Sequence, residues 1–537
     1  MYIAVEGCCH GELTQIYQTI ANLERSQHIK CDLLLCCGDF QAIRNPADLS
    51  TMAVPAKYKQ PGDFHKYYSG ELIAPILTIF VGGNHESASY LSELPYGGYV
   101  APNIYFLGYS GSVVFRGLRI SGISGIFKYR DYLKGHFEYP PFNSDTMRSF
   151  YHIRAIDITR LHCLRKSPHI FLSHDWPTGI WNYGDVKQLI KSKPYFQKDI
   201  DQNELGCKQL MELLRAIKPH NWCSAHLHCH FEASVLHGKT DNGNSESCAA
   251  TNFLALNKCG PKRKYVSILD ISVPNHYEQN SFSLEFDPEW LAILKLTDDL
   301  MRVSASKVNS AIPDINNESF ELTLKEVISS FNSFEIPDFK FYNQDVCGFY
   351  DNKAKKACEE IYDHPHTSWL AKQLGIKHPS ILFEHLRNCG MIDANTSFDN
   401  SCSFSDSTFA SFNDSTFNES ALLEQSSLSS VSLNPNEITL DSDSSTDEEE
   451  PAVKRSLRDK SVKGNDNSKP LNDVAVISQL DQFLEKERSP YISNELSTPN
   501  SISNDFSHNV PLDASTPLGT KKTIKRRNVH LYSFNDS

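Results

Sequence analysis

The sequence predicts an α/β or sandwich core, a smaller second folded region and a disordered tail. Up to about residue 235, short apolar runs alternate with turns and helical segments, and the strongest runs end directly in polar side chains. Near residue 391 the composition changes to mainly Ser, Asp, Asn and Thr, which cannot bury enough apolar surface to offset the ordering entropy. We therefore expect domains at residues 1–235 and 236–390, then a disordered Ser-rich and acidic tail with basic clusters at 391–537.

The elements are predicted from apolar periodicity. Helical spacing of apolar residues predicts a helix from Leu13 to Arg25, an amphipathic segment from Pro288 to Leu300 and a helical stretch at 354–361. Strands are predicted where short apolar runs meet Gly or polar residues, at residues 3–7, 33–39, 76–81, 104–107, 117–125, 169–175 and 265–271.

Composition excludes several classes of protein. The 537 residues, 40% of them hydrophobic, are enough for two or three domains with at least one sizeable core. We expect neither a membrane protein nor a secreted one, because the sequence has no long apolar run and no recognisable signal peptide. The 15 cysteines are odd in number and irregularly placed, which favours a reducing compartment. The net charge of −13 equals the acidic excess of residues 391–450, so overall charge does not argue for or against nucleic acid.

Potential metal ligands occur at several predicted strand ends. Each has an ordinary explanation when taken alone, since a buried Cys acts as a small hydrophobic residue and Gly, Asn and Asp are common in turns. Together, and in this order, they indicate a functional site. They are Cys8 and His10, Asp39, Asn84 and His85, His174, and His226 and His228.

This set of side chains suits phosphate ester cleavage. Two cations about 3.5–4 Å apart can clamp a phosphate, provided that a carboxylate bridges them and nitrogen ligands complete their coordination. Asp39 is the carboxylate best placed in the sequence to bridge the two cations. If residues 226–228 are extended, His226 and His228 lie on one face, because side chains alternate along a strand.

The motifs resemble those of the calcineurin-like metallophosphoesterases, which run Asp-x-His, Gly-Asp, Gly-Asn-His-Glu, His and Gly-His-x-His. Two positions differ, since Cys8 replaces Asp and Ala225 replaces Gly. A Cys at the first position resembles the RNA lariat debranching enzymes, as do residues 173–177, 251–256 and 289–293. The resemblance covers roughly residues 1–390 and implies a metallophosphoesterase β-sandwich flanked by helices, with a smaller debranching-enzyme C-terminal domain.

The resemblance also implies roles for individual residues. His85 would be the general acid, although a hydrogen-bonding role beside the ligand Asn84 is the alternative. The soft thiolate of Cys8 would reduce the preference for Mg and favour Zn or Fe(II). The expected cofactors are Fe(II), Zn or Mn, with one or two ions per site. One ion would be held by Cys8, His10, Asp39 and His228, and the other by Asp39, Asn84, His174 and His226.

Residues 125–160 are rich in aromatic and basic side chains, which can stack on unpaired RNA bases and bind their phosphates. The alternative is that these aromatic residues pack on the core. The position of the segment resembles the lariat recognition loop of the debranching enzymes. The predicted RNA-binding residues are Lys128, Tyr129, Arg130, Tyr132, Lys134, His136, Phe142, Arg148 and Tyr151.

The implied activity is hydrolysis of the 2′,5′-phosphodiester at the branch point of excised intron lariat RNA. Two alternatives stay open: a generic metallophosphoesterase acting on other phosphoesters, and a non-catalytic RNA-binding scaffold. Basic clusters at 454–460 and 521–527 predict nuclear localisation, with shuttling to the cytoplasm, although chance clusters in a solvated linker are the alternative. We expect spliceosome-associated partners to bind the tail, and the sequence does not assign an oligomeric state.

Overall fold

Two mixed β-sheets share one hydrophobic core between them. The computed structural model describes residues 1–238, 250–272, 283–308, 313–338 and 361–389, all within one compact unit. The strands are β1 Tyr2–Glu6, β2 Cys31–Cys36, β3 Leu77–Phe80, β4 Gly98–Ala101, β5 Ile104–Phe106, β6 Ser110–Phe115, β7 Leu118–Ile123, β8 Ile170–Ser173, β9 Asn221–Ser224, β10 Phe231–Leu236, β11 Ala250–Ala255, β12 Val266–Asp270 and β13 Leu284–Phe286.

The first sheet has the strand order β12-β1-β2-β3-β5-β4, and the second has the order β10-β11-β9-β8-β7-β6-β13. Strand β1 shows how the layers form, because its side chains alternate between faces. Ile3 and Val5 belong to the core between the sheets together with Phe171 of β8, whereas Ala4 packs on the opposite face with Leu13. The fold is therefore the predicted mixed α/β arrangement of two sheets flanked by helices.

Helices cover the outer faces of the sheets and form most of the described part of the chain after β13. Among the described residues, no helix combines the length and the hydrophobicity needed to cross a bilayer. The helices are α1 Leu13–Gln27, α2 Pro46–Ser50, α3 Phe64–Tyr68, α4 Ala88–Leu91, α5 Tyr129–Tyr132, α6 Ser144–Ser149, α7 Ala155–His162, α8 Val186–Ser192, α9 Phe196–Asp201, α10 Lys208–Ile217, α11 Pro288–Leu296, α12 Asn317–Ser330, α13 Pro365–Leu374 and α14 Pro379–Asn388.

The predicted segment from Pro288 to Leu300 is helical over most of its length. Helix α11 ends at Leu296, and a separate 3₁₀ turn, Asp298–Leu300, follows it. The break falls at Thr297, whose hydroxyl donates a hydrogen bond of 2.7 Å to the carbonyl of Ile293. The predicted helical stretch at 354–361 lies outside the described residues except for its last residue, and the tail at 391–537 lies wholly outside them.

Strands from both sides of residue 236 belong to the same sheets. Strand β12 pairs antiparallel with β1, and β11 lies between β10 and β9 in the second sheet. Strand β13 pairs with β6 at the edge of that sheet. The second region therefore completes both sheets, and the domain limits at 235 and 390 stay predictions.

Five of the parallel strands position the candidate site. Strands β1, β2 and β3 run parallel to one another in the first sheet, as do β8 and β9 in the second. The carboxyl ends of parallel strands lie at one edge of a sheet, which is where open α/β sheets bind ligands. The segments that follow these five strands contain all seven predicted metal ligands.

Candidate metal centre

Backbone hydrogen bonds join the segments that follow β1 and β2. The amide of Cys9 donates to the carbonyl of Gly38 at 3.3 Å, and that of His10 donates to the carbonyl of Asp39 at 2.6 Å. These bonds continue the pairing of the two strands beyond their ends. As a result, the side chains of Cys8, His10 and Asp39 converge on one point.

The first group of donor atoms consists of Cys8, His10, Asp39 and His228. One ligand atom from each lies within 4.8 Å of all the others. The Nε2 atom of His10 is 3.2 Å from Nε2 of His228 and 3.5 Å from Oδ2 of Asp39. All but His10 are buried, so the group presents sulfur, nitrogen and oxygen donors out of bulk water. Such a mixed donor set suits Zn or Fe(II).

The second group is centred on His174, which is fully buried. Its Nδ1–H donates to the carbonyl of Cys37 at 2.8 Å, which leaves Nε2 facing two oxygen atoms. These are Oδ1 of Asp39 and Oδ1 of Asn84, each 3.2 Å from Nε2. Lone pairs of these three atoms therefore face one another and repel. Either a proton on Nε2 or a cation bound among the three atoms would remove this repulsion. The ring of His226 lies 5.0 Å from that of His174, centroid to centroid.

Asp39 belongs to both groups. Its Oδ2 faces His10 and its Oδ1 faces His174, so a single carboxylate lies between the two sets of donors. This is the arrangement that a carboxylate bridging two cations requires. The residues present therefore fit a metal centre, while the assignment of individual ligands stays a prediction.

Residues 226–228 are not extended, so the condition under which His226 and His228 would share one strand face is not met. Strand β9 ends at Ser224, and His226 and His228 both have a left-handed backbone, with φ of 59° and 47°. His10 and Asp39 share this conformation, with φ of 48° and 46°. Left-handed backbone is costly for residues other than Gly, and its concentration here indicates a constrained functional site. It directs His228 towards His10 and His226 towards His174.

The protein environment sets the charge of the donors. Burial raises the pKa of the Cys8 thiol, and the carboxylates of Asp39 and Glu6 raise it further. Burial also lowers the pKa of His10 to about 3 and lowers that of His228, so both rings are neutral near pH 7. Burial opposes ionisation of Asp39, but positive charge on His174 and His85 outweighs it and lowers the pKa of Asp39. Neutral imidazoles and an ionised carboxylate are the forms that bind cations.

His85 lies beside the first group without belonging to it. Its half-buried ring is 5.0 Å from the ring of His10, centroid to centroid, in an edge-on orientation. Its backbone N–H donates to Oδ1 of Asp39 at 2.9 Å. The side chain is thus close to the donors and partly open to solvent, so it can exchange its proton with water. Its role as general acid stays a prediction.

Glu86 is a supporting residue whose role the sequence analysis missed. Its buried carboxylate accepts backbone N–H bonds from Phe40, Gln41 and Gly83 at 2.7, 2.9 and 3.0 Å. It therefore joins the segment after β2 to the segment after β3. Burial raises the pKa of Glu86 to about 7, although these three bonds oppose the shift. The Gly-Asn-His-Glu motif contained the only signal, but the motif does not reveal which amides the carboxylate accepts from.

The predicted RNA-binding residues divide by exposure. Three are exposed: Tyr129, with 77% of its surface accessible, Arg130 and Arg148. Two of the others have partners within the protein, since His136 bonds to Asp157 at 2.8 Å and Lys134 pairs with Asp131 at 2.7 Å.

The aromatic members of the set lie mostly against the core. The ring of Tyr151 is buried in the core, and those of Tyr132 and Phe142 are partly buried and pack against it. Lys128 is half-buried at the start of α5. The prediction of RNA contact therefore depends mainly on Tyr129, Arg130 and Arg148. The alternative, that aromatic residues of this segment pack on the core, describes Tyr151 and, in part, Tyr132 and Phe142.

Comparison with known proteins agrees with this geometry. The calcineurin-like phosphoesterase family model matches residues 1–230, and the lariat debranching enzyme C-terminal domain model matches residues 249–379. Lariat debranching enzyme A of Xenopus laevis is 44% identical over 457 residues, which are 84% of this chain and 82% of that protein. The chain belongs to the lariat debranching enzyme family. The family member of Homo sapiens is 44% identical over 462 residues, 83% of this chain and 80% of its own, and that of Gallus gallus is 47% identical over 386 residues, 70% of each chain.

Membership of the debranching family confirms the resemblance and the fold class predicted from the sequence. The chain is a hydrolase of the metallophosphoesterase class. Members of the calcineurin-like superfamily use divalent metal ions, and the convergent donors at the ends of β1, β2 and β9 are where this debranching family member would hold them.

Proposed function

We propose that this protein hydrolyses the 2′,5′-phosphodiester at the branch point of excised intron lariat RNA and releases a linear RNA. Its relatives, matched over four-fifths of their length, are named lariat debranching enzymes. The observation that supports catalysis is the convergence of ligand atoms from Cys8, His10, Asp39 and His228 within 4.8 Å. A scaffold that had lost its activity would not need to keep this costly left-handed geometry.

The metal ions proposed here are Fe(II), Zn or Mn, one or two per site. A bound divalent cation would supply Lewis acidity that stabilises negative charge on the phosphate oxygens. Cys8 would bind a cation as the thiolate, after loss of its proton, and a thiolate ligand would favour the softer ions of this set over Mg. The proposed ligands are Cys8, His10, Asp39 and His228 for one ion, and Asp39, Asn84, His174 and His226 for the other.

The protein's own side chains would orient the branch and move one proton. His85, beside His10, would protonate the departing 2′-oxygen, because its ring is close to the donors and half-buried. Its backbone N–H holds Asp39 in place at the same time. Branched RNA as the substrate would contact the exposed side chains of Tyr129, Arg130 and Arg148 through stacking and phosphate binding.

The test is cleavage of a synthetic branched RNA by the purified chain. Metal-free protein is supplemented with Fe(II), Zn or Mn in turn, and a linear 3′,5′-linked RNA serves as the control substrate. Selective cleavage of the 2′,5′ link supports the proposal and identifies the usable metals. Cleavage of simple phosphate esters alone would favour a generic phosphoesterase, and tight binding of branched RNA without turnover would favour a scaffold.

We also propose that the protein acts in the nucleus and that its tail binds spliceosome-associated proteins. The supporting observation is the pair of basic clusters at 454–460 and 521–527, which lie outside the described residues. Fluorescent fusions with one or both clusters changed to Ala should shift from the nucleus to the cytoplasm. An unchanged distribution of the double variant would contradict nuclear import through these clusters.

A further inference from the structure

The loop between β11 and β12, residues 256–265, is fixed against the first metal-site segment. The amide of Cys8 donates to the carbonyl of Asn257 at 3.3 Å, and the amide of Cys259 donates to the carbonyl of Cys8 at 3.1 Å. The amide of Gly7 donates to the carbonyl of Tyr265 at 3.0 Å. Lys258 thus forms a backbone bridge directly opposite Cys8, at the border of the metal centre.

Cationic side chains gather at this border. The carboxamide oxygen of Asn257 lies 3.4 Å from Nη1 of Arg263 and accepts the backbone N–H of Lys258 at 2.9 Å, so it joins both residues. Lys193, just before α9, is close enough to Lys258 and Arg263 to be repelled by their charges. Its ammonium lies 5.8 Å from the ring centroid of Tyr195, which is 47% exposed. Lys258 is half-buried, with Cys8 and Asp39 among its electrostatic neighbours.

Within the described residues, these three cations form no ion pair, although Lys264 of the same loop has one. The ammonium of Lys264 is 3.5 Å from a carboxylate oxygen of Glu232. Clustering like charges is unfavourable, and an anion bound among these three side chains would relieve the repulsion.

We propose that Lys193, Lys258 and Arg263 bind the 3′-phosphodiester of the branch nucleotide, which is not cleaved. The proposal rests on the proposed debranching function. A branch nucleotide carries three phosphodiesters on one ribose, whereas a nucleotide inside a linear strand carries two. With the scissile phosphate at the metal centre, a neighbouring phosphate of the same branch falls at its border, where these cations lie. Binding of this phosphate by ammonium and guanidinium groups makes the cluster a determinant of specificity for branched RNA.

The test compares three substrates: a three-way branched RNA, an unbranched RNA with one 2′,5′ link, and bis(p-nitrophenyl) phosphate. The variants are K193A, K258A and R263A, and the matched control is K264A from the same loop. Each variant should raise KM for branched RNA about tenfold more than it raises KM for the other two substrates. It should also make KM for branched RNA less dependent on salt, since one phosphate contact is lost. The K264A protein should follow the wild type.

Two further comparisons distinguish failure of this phosphate-binding assignment from failure of the proposed debranching function. The K258R variant should recover most of the affinity lost in K258A, because it restores the charge. Equal losses on all three substrates, or an unchanged KM for branched RNA in a wild type that debranches, would overturn the assignment of the cluster. A wild type that hydrolyses bis(p-nitrophenyl) phosphate but not branched RNA would instead overturn the proposed function, and this inference with it.

Discussion

Gly83 packs directly against the carboxylate of Asp39. A Cβ atom at Gly83 would lie 2.2 Å from Oδ1 of Asp39, 2.4 Å from its backbone nitrogen and 2.7 Å from Cε1 of His174. A methyl group here must displace the carboxylate that faces both groups of donors. The metal centre therefore requires glycine at position 83.

The G83A substitution should reduce bound metal and lower cleavage of branched RNA about 100-fold, because small displacements of catalytic groups are costly. Metal content measured by mass spectrometry and single-turnover cleavage would check this. The matched control is G82A, where the nearest atoms to an added Cβ lie at 3.5 Å, an ordinary contact distance. Full metal content and activity in the G83A protein would contradict the bridging position of Asp39.

The H85A substitution should slow cleavage of branched RNA by about 10²–10⁴-fold while leaving the metal content unchanged. The reason is that the ring lies beside His10 but outside the group of converging donor atoms. The pH profile should lose the limb that reports the general acid. His230 provides the control, since its Nε2 lies 2.9 Å from Glu232, and H230A should keep near-normal turnover. Loss of metal in the H85A protein would instead indicate a structural role.

The C8D substitution should change the metal preference of the enzyme. A carboxylate is a harder ligand than the buried thiol that it replaces. The ratio of activity with Mn or Mg to activity with Zn should therefore rise about tenfold. Metal-free protein titrated with each ion would measure this ratio. The neighbouring thiol of Cys9 is also buried but lies outside the donor group, so C9A should keep the wild-type ratio. An unchanged preference in the C8D protein would show that Cys8 does not bind the ion.

The D131N substitution should lower the stability of the folded protein by about 2 kcal/mol at neutral pH, since it removes charged hydrogen bonds. The Asp131 carboxylate accepts from Nδ1 of His152 at 2.7 Å and pairs with Lys134 at 2.7 Å, while Nη1 of Arg154 donates to its backbone carbonyl at 2.7 Å. Burial alone would raise the pKa of Asp131, but the bonds from His152 and Lys134 lower it below its ordinary value.

The sign of the pH effect follows from that shift. A carboxyl whose pKa is lower in the folded state stabilises the protein above its unfolded pKa of about 3.9 and loses that contribution as pH falls below it. Thermal melts from pH 7 to pH 3 should therefore show a difference in melting temperature between wild type and D131N that becomes smaller in acid. The exposed Asp145 in the same segment is the control, and D145N should melt like the wild type. A difference in melting temperature that becomes larger in acid would contradict the stabilising role of the ionised Asp131 carboxylate.

Strand-end ligands were predictable, but their geometry was not. Asp39, Asn84 and His174 follow short apolar runs, and parallel strands must bring such positions to one edge. The left-handed backbone of His226 and His228 depends on contacts with distant segments, which local periodicity does not contain. Likewise, Tyr151 and Tyr129 have the same side chain, yet one is buried and the other exposed. The pairing of β12 with β1 joins residues at least 260 positions apart, beyond the reach of a local pattern.

The position of strand β1 in its sheet determines when the fold can be completed during synthesis. It lies between β2 and β12, its first residue pairs with Asp270, and the terminal amine of Met1 donates to the carbonyl of Ile271 at 2.9 Å. Half of the protein must therefore leave the ribosome before this strand gains its outer neighbour and Cys8 gains the carbonyl of Asn257. Until then the nascent chain has an unpaired edge on β1, and unpaired strand edges favour aggregation. All seven predicted metal ligands lie before residue 229, so this last backbone contact of Cys8 forms only after every ligand has been synthesised.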